Sequence, residues 1–427
     1  MRSFAKPNFK GWNWWDYTKL AVALLLVTVA YMQVTRKGDF YVFLRAADIL
    51  KQGRTPYHIW ILDRNCLYLY SPFFAMLLVP FRYLPDILVN FLWISACLWF
   101  TWRNYQLIRQ YLPADFPKRW QNELLLIIPF AFTIRFWLYN IQYLQMTIFM
   151  LWCMLESIEL FRKDRYRLGG FLLALSINIK ILPVVLLPYL FLRMKWKAFI
   201  PIALFSLLFL LFPAIFFGFS FNFELHANWW NEINPSQGKQ YAIESDLGPH
   251  SLNALLPSLL MKTNGDYPLE RNLLDLPQGT VLLLVNAIRL LLVAATLYFT
   301  GIRPAKERSA LQTVRELSYI ILLIPLIFPH QQKYAFYLIL PAMMYLSWYL
   351  VKTHQLKFTT ISKTRWRLLT VLLAISFLLL VPTTDGIIGW KLSLISQHFK
   401  LITYGALLIG LALALSPEKR LVPPEAK

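Results

Sequence analysis

With 427 residues, 58% hydrophobic and 16% aromatic, the chain carries only 15% charged side chains, well below the roughly 25% of soluble domains. Several apolar runs reach the ~20 residues that a helix needs to cross a hydrocarbon core. This excludes a soluble globular protein and indicates a polytopic membrane protein. The formal charge of +21 does not point to nucleic acid, because the basic residues cluster in short loops between apolar runs. That is the positive-inside arrangement, with anionic lipid as its counterpart. Three scattered cysteines, Cys66, Cys97 and Cys153, supply neither a disulfide nor a metal framework.

The lead carries Arg2, Lys6, Lys10 and Lys19 with Trp12, Trp14 and Trp15, which places the amino terminus in the cytoplasm. The first span covers roughly Leu20 to Val34. Its exit, Tyr31-Met32-Gln33-Val34, lacks a small-residue cleavage site, so it reads as a signal anchor. A loop over 35–86 follows on the far side. Within it, Phe40, Phe43, Leu44, Ala47 and Leu50 recur at spacings of three and four, opposite Arg45, Asp48 and Gln52. This predicts an amphipathic helix lying along the membrane surface, ended by Gly53 in a left-handed cap. Ser71 to Leu84 is apolar but only about 14 residues long, and it is broken by prolines, so it reads as re-entrant rather than spanning. The basic stretch from Arg103 to Arg119 is then cytoplasmic.

The remaining chain falls into register. Spans run from about Leu124 to Leu138 and from Tyr143 to Phe161, joined by a tight turn at Tyr139-Asn140-Ile141-Gln142. Leu168 to Leu192 forms a hairpin reaching the far side near Lys180, and Ala198 to Gly218 is the next span. A far-side subdomain over 219–278 follows, then a span from Thr280 to Thr300. Two further spans turn at His330-Gln331-Gln332-Lys333, and two more close the chain before Glu418-Lys419-Arg420. The whole is an all-α bundle of about 12 transmembrane helices, with both termini cytoplasmic. It shows no internal repeat of the inverted-transporter kind.

Ionisable groups at membrane depth are costly and need a partner or a function. Asp39, Gln142, Lys180, His330 and Lys333 gather at the far-side mouth, with Arg54, Tyr57 and Tyr70 from the first loop. One carboxylate facing several cations suits an anionic lipid substrate. The cations would hold a phosphate while the carboxylate takes a proton from an attacking hydroxyl. Each residue also has a plainer reading. Asp39 stands where a helix N-cap would stand, though Val42 at the third position offers no capping box. Lys180 can snorkel from its hairpin. Gln142, His330 and Lys333 can be ordinary turn residues.

A carboxylate after the first span, the segment Gly53-Arg54-Thr55-Pro56-Tyr57 and then Tyr70-Ser71-Pro72-Phe73-Phe74 resemble the polyprenol-phosphate-dependent glycosyltransferases of family 87. That family includes the mannosyltransferase of phosphatidylinositol mannoside synthesis. Asn140-Ile141-Gln142, Ile179-Lys180-Ile181-Leu182-Pro183 and the Pro329-His330 turn resemble further stretches of it, with Asn140 where the family has Gly. The resemblance implies a GT-C bundle with its site on the extracytoplasmic face, a polyprenyl-phosphate-linked sugar donor, inversion at the anomeric carbon, and a lipid or glycan acceptor. It implies Asp39 as general base, with Lys180, His330 and Lys333 near the donor phosphate. Many GT-C enzymes carry two acidic residues spaced by one, often linked to a metal. Here the sequence is Asp39-Phe40-Tyr41, which argues against a metal at this motif, and no cofactor is implied. Trp229 and Trp230, with Asn228, Asn231 and Asn234, suit either glycan stacking or an interfacial aromatic belt. A transporter or flippase of lipid-linked saccharides, or a polymerase of them, is the alternative reading.

Overall fold

A computed structural model describes residues 13–61, 66–113, 116–234, 243–263, 265–301, 308–359 and 361–417. The basic lead residues Arg2, Lys6 and Lys10, Trp12, and the Glu418-Lys419-Arg420 tail lie outside them. Among the described residues the fold is all-helical, with two isolated bridges, Ile61 to Cys66 and Pro249 to Gln332, and no strands.

Helix α1 spans Trp14–Tyr31 and starts earlier than Leu20. The cause is local: the Asn13 side chain accepts from the Trp15 and Asp16 amides, and Asp16 reaches back to the Asn13 amide, closing a capping box. After α2 (Asp39–Lys51), α3 (Pro72–Leu78) and α4 (Asp86–Arg109) come α5 (Arg119–Gln142) and α6 (Thr147–Arg162). Next are α7 (Tyr166–Ile179), α8 (Leu186–Leu192), α9 (Phe199–Leu211), α10 (Ala214–Ile233) and α11 (Leu252–Leu260). The last six are α12 (Gln278–Thr300), α13 (Ala310–Ile327), α14 (Leu340–Gln355), α15 (Lys363–Leu380), α16 (Asp385–His398) and α17 (Leu401–Ala414).

Among the described residues, four helical segments are long and apolar enough to cross a membrane: α5, α12, α13, and Lys333–Gln355, in which a 3₁₀ turn runs into α14. Two bent pairs raise this to six. The α9–α10 pair turns by 89° and the α15–α16 pair by 85°. Against the expected dozen, part of the difference arises because prolines and glycines divide some apolar runs into shorter helices, and α1 and α4, though long enough, carry too many polar residues to meet the same standard. Pro213 interrupts α9 and α10, and Gly218 sits at φ +80 inside α10. The bend also carries helix past residue 218, so the boundary expected there falls within α10. The stretch expected to be re-entrant is α3 followed by a 3₁₀ segment, Val79–Tyr83, too short to cross alone.

Burial sorts the bundle into centre and rim. Lys333–Gln355 is buried almost throughout, whereas α12 exposes most of its length. Leu283, Leu290 and Tyr298 on α12, like Phe219 and Phe223 on α10, stand open. Such apolar surface is stable against lipid rather than water.

Ion pairs show which loops share an end. Asp16 bonds Arg119 at 2.7 Å and Lys19 bonds Glu123 at 2.8 Å, so the first turns of α1 and α5 meet. Helix α1 leaves that end and returns through α4, against which Tyr31 and Ser95 share a hydroxyl bond of 2.9 Å. At the opposite end, Asn90 Nδ2 donates to the Val34 carbonyl at 2.8 Å.

The candidate active site

Gly38, extended at φ −77 and ψ −168, is the N-cap of α2, and Asp39 is its first residue. Asp39 is therefore not the cap. The Asp39 amide donates to the Tyr143 carbonyl at 2.9 Å. A Cβ on Gly38 would lie 2.6 Å from that same oxygen, so only glycine lets α2 seat so closely on the α5–α6 turn. The Gln145 side chain in that turn donates from Nε2 to Asp39 Oδ2. One end of the carboxylate is thus fixed by groups about a hundred residues away.

The expected amphipathic face of α2 is present. Phe40, Phe43, Leu44, Ala47 and Leu50 are buried, but so are Val42 and Ala46, because α3 and Val79–Tyr83 close over the helix. Phe43 lies 4.4 Å from the Tyr70 ring and 5.5 Å from Phe74. Asp48 accepts from Arg82 Nε at 2.9 Å. Gly53 takes φ +71 immediately after the cap residue, the left-handed stop that its sequence suggested.

Asp39 opens on a cavity of about 430 Å³, within the usual range for ligand sites. Tyr70, Tyr143, Gln145, Lys180, Glu244 and His330 line it, with Trp60, Asp246, Gln332 and Tyr334. Lys180 occupies an extended residue, φ −148 and ψ 126, where α7 stops and before a 3₁₀ turn begins at Leu182. The expected hairpin therefore breaks at Lys180. Its ammonium stands 5.3 Å from the centre of the Tyr70 ring. Burial pushes Lys180 down to about 8, and the Asp39 charge opposes this only in part. The Tyr70 phenol is raised well above its ordinary value by burial and then by the same carboxylate.

His330 sits in the left-handed region at φ +55, with Nδ1 3.4 Å from Glu244 Oε1. Glu244 is buried and its Oε2 accepts from Ser251 Oγ at 3.0 Å. The loop that brings Glu244 here is pinned by the end of the chain. Lys400, wholly buried, donates to the carbonyls of Asp246 and, at 2.9 Å, Pro249. Thr403 Oγ1 donates to the His250 carbonyl at 2.6 Å, and Arg271 to the Ser245 carbonyl at 2.7 Å. Burial first, and then neighbouring Arg271, push Lys400 down to about 7.

A second cavity of about 250 Å³ shares Leu69, Lys180 and His330 with the first. Its other walls are mostly apolar and include Ile181, Leu182, Trp229, Trp230 and Phe328, with Asn234 among them. Trp229 Nε1 donates to the Leu69 carbonyl at 3.3 Å.

Of the eight residues singled out in the sequence, Asp39, Tyr70, Lys180 and His330 line the first cavity. The other four do not. Helix α5 runs through the turn expected at 139–142, because Asn140 Nδ2 donates both to Phe136 and, across the core, to the Tyr334 carbonyl. Gln142 is the last residue of α5, and Gln145 reaches Asp39 instead. Lys333 starts a 3₁₀ turn between the cavity-lining Gln332 and Tyr334 and turns away, with its ammonium 5.2 Å over the Tyr139 ring. Arg54 follows the Gly53 turn into solvent. Tyr57 is buried behind the wall, its hydroxyl donating to the Tyr70 carbonyl at 2.8 Å. Gln145 had a sequence signal, a second glutamine three residues past Gln142. Glu244 had none, since nothing local ties it to His330.

Among solved structures, the chain is similar to ArnT from Cupriavidus metallidurans. The crystal structure of ArnT bound to undecaprenyl phosphate matches at 13% identity with a TM-score of 0.42, over 95% of this chain and 77% of that one. The apo structure of ArnT matches at 14% identity and 0.39 over the same shares. No curated protein matches the chain. The family model described as glycosyltransferase family 87 matches residues 68–329, a stretch that takes in Tyr70, Lys180 and Glu244 and stops one residue short of His330. With well over half of its length matched by that model, this membrane protein belongs to glycosyltransferase family 87.

Proposed function

We propose that this membrane glycosyltransferase moves a hexose, with mannose the first candidate, from a polyprenyl-phosphate carrier to a hydroxyl of a lipid or glycan acceptor. The observation that carries the reading is one cavity lined by Asp39, Lys180 and His330 together. The acceptor oxygen attacks the anomeric carbon, the bond from that carbon to the carrier phosphate oxygen breaks with inversion, and its electron pair leaves on the phosphate. The hydroxyl proton passes to Asp39. Lys180 neutralises the phosphate as its charge grows and His330 donates a hydrogen bond to it, with Glu244 beside His330 Nδ1. The apolar second cavity, meeting the first at Lys180 and His330, suits the first isoprene units of the carrier.

On this reading the segments 35–86 and 219–278 form the extracytoplasmic loops, and α3 with Val79–Tyr83 is re-entrant. The pairing of Asp16 with Arg119 supports this, because a spanning segment there would send the basic loop to the opposite end. The protein then sits in the cell's inner or plasma membrane with both termini facing the cytoplasm. Arg54, Tyr57, Gln142 and Lys333 serve at most indirectly, through the walls behind the site.

The test is transfer of labelled mannose from synthetic polyprenyl-phosphate-mannose to a membrane lipid extract by purified protein. Wild type should transfer, and Asp39→Asn and Asp39→Ala should each lose about a hundredfold or more while still binding the carrier. Undiminished transfer by both variants would remove Asp39 as base. Transfer only from other polyprenyl-phosphate hexoses would reassign the sugar.

A further inference from the structure

The helices that carry the Asp39 cavity hold a second polar cavity at their other ends. It has a volume of about 350 Å³ and is lined by Arg162, Arg193, Lys195 and Arg308, with Phe161 and Tyr189 among its apolar walls. Arg162 ends α6, whose first turn follows Gln145. Arg193 and Lys195 follow α8, which begins just past Lys180. Arg308 precedes α13, which ends just before His330. The two cavities therefore stand about 24 Å apart, the length of the 16-residue α6 at 1.5 Å per residue. The basic cavity is separate from the site described above and does not depend on how that site is read.

It is a built site rather than a chance crowding of basic loops. Arg193 is 4% exposed and locked in place: Nε donates to Glu316 Oε2 at 2.8 Å and Nη2 to the Thr300 carbonyl at 2.7 Å. Arg162 makes a two-pronged bond to Glu159, both contacts at 2.9 Å. Arg308 Nε is buried with no hydrogen bond and stands 3.4 Å from Glu316. Lys195 Nζ has one long bond, 3.4 Å, to the Phe161 carbonyl. Among the described residues, two carboxylates thus answer four lining cations, which leaves a positive surplus held at fixed positions beside apolar walls.

We infer that this cavity binds a phosphate group, presented by an anionic lipid headgroup whose chains lie along the apolar wall. Lys195 and Arg308, the cations least engaged by these carboxylates, can donate charge-assisted hydrogen bonds to phosphate oxygens, and basic pockets between membrane helices are suited to such headgroups. A free phosphate would use the cations and leave the apolar wall without a role.

The test measures binding of short-chain phosphatidylglycerol, short-chain phosphatidylcholine and inorganic phosphate to the full chain in neutral detergent, by native mass spectrometry and by thermal shift. Phosphatidylglycerol should bind and stabilise, and phosphatidylcholine should do neither. The double variant Lys195→Gln/Arg308→Gln should bind phosphatidylglycerol roughly 30-fold more weakly, at about fivefold per cation. Arg165→Gln/Arg167→Gln, whose residues do not line the cavity, should bind as wild type does. If the double variant fails to fold, exposed Arg162→Gln alone should weaken binding about fivefold. Binding of inorganic phosphate at equal strength would keep the phosphate site and assign it to a soluble anion. No binding by wild type, or equal loss in the Arg165/Arg167 variant, would overturn the inference.

Discussion

Gln145 donates its side-chain amide to Asp39 Oδ2, and the backbone of the same turn, at Tyr143, accepts the Asp39 amide. The first residue of α2 is thereby referred to the α5–α6 turn rather than to its own loop. A base held this way keeps one oxygen fixed in direction, which is what a near-attack geometry requires.

Gln145→Ala should therefore lower kcat by about 10- to 100-fold with little change in the KM for the carrier, since the residue acts through Asp39. Steady-state transfer at saturating carrier separates the two. A rise in KM alone would place Gln145 on the substrate instead.

Gly38→Ala tests the same relationship through the backbone. The added methyl meets the Tyr143 carbonyl at 2.6 Å, too close for any real contact, so α2 must shift by close to an ångström. Activity should fall by about 100-fold, as misplacement on the ångström scale does. Gly53→Ala, at φ +71 with nothing near its Cβ, should cost stability and leave kcat intact.

The pH dependence should report Lys180. Its ammonium is pushed down to about 8 from the ordinary lysine value by burial, so the free protein carries the charge below that pH and loses it above. A phosphate-holding role makes kcat/KM for the carrier fall as pH rises through about 8. Lys180→Arg stays charged throughout and should flatten that limb, even if its absolute rate is lower. A limb unchanged in the arginine variant would assign the titration to another group.

Tyr57→Phe removes the hydroxyl that donates to the Tyr70 carbonyl inside the first loop. A buried acceptor left without its donor costs about 1–3 kcal/mol. The variant should unfold a few degrees lower in detergent while keeping most of its transfer activity, because Tyr57 lies behind the cavity rather than in it.

Composition and periodicity by themselves determined the class of molecule. Apolar runs of membrane length, basic loops between them and the three-and-four spacing of Phe40 to Leu50 are local signals, set by hydrophobicity and helix geometry. They located Asp39, Tyr70, Lys180 and His330 at breaks in the helical runs, where the backbone turns and a polar side chain can leave the apolar interior. Tertiary structure alone decided the rest. Whether α5 ends at 138 or 142 depends on Asn140 reaching Tyr334, nearly two hundred residues away, and that register selects Gln145 over Gln142. The pairing of Glu244 with His330 depends on a loop held by Lys400 and Thr403 at the start of the last helix. Such contacts join residues with no periodic relation along the chain, so their energy has no trace in the local sequence. The division of long apolar runs by Pro213 and Gly218 follows the same rule: the sequence marks where a bend is allowed, and packing sets its 89°.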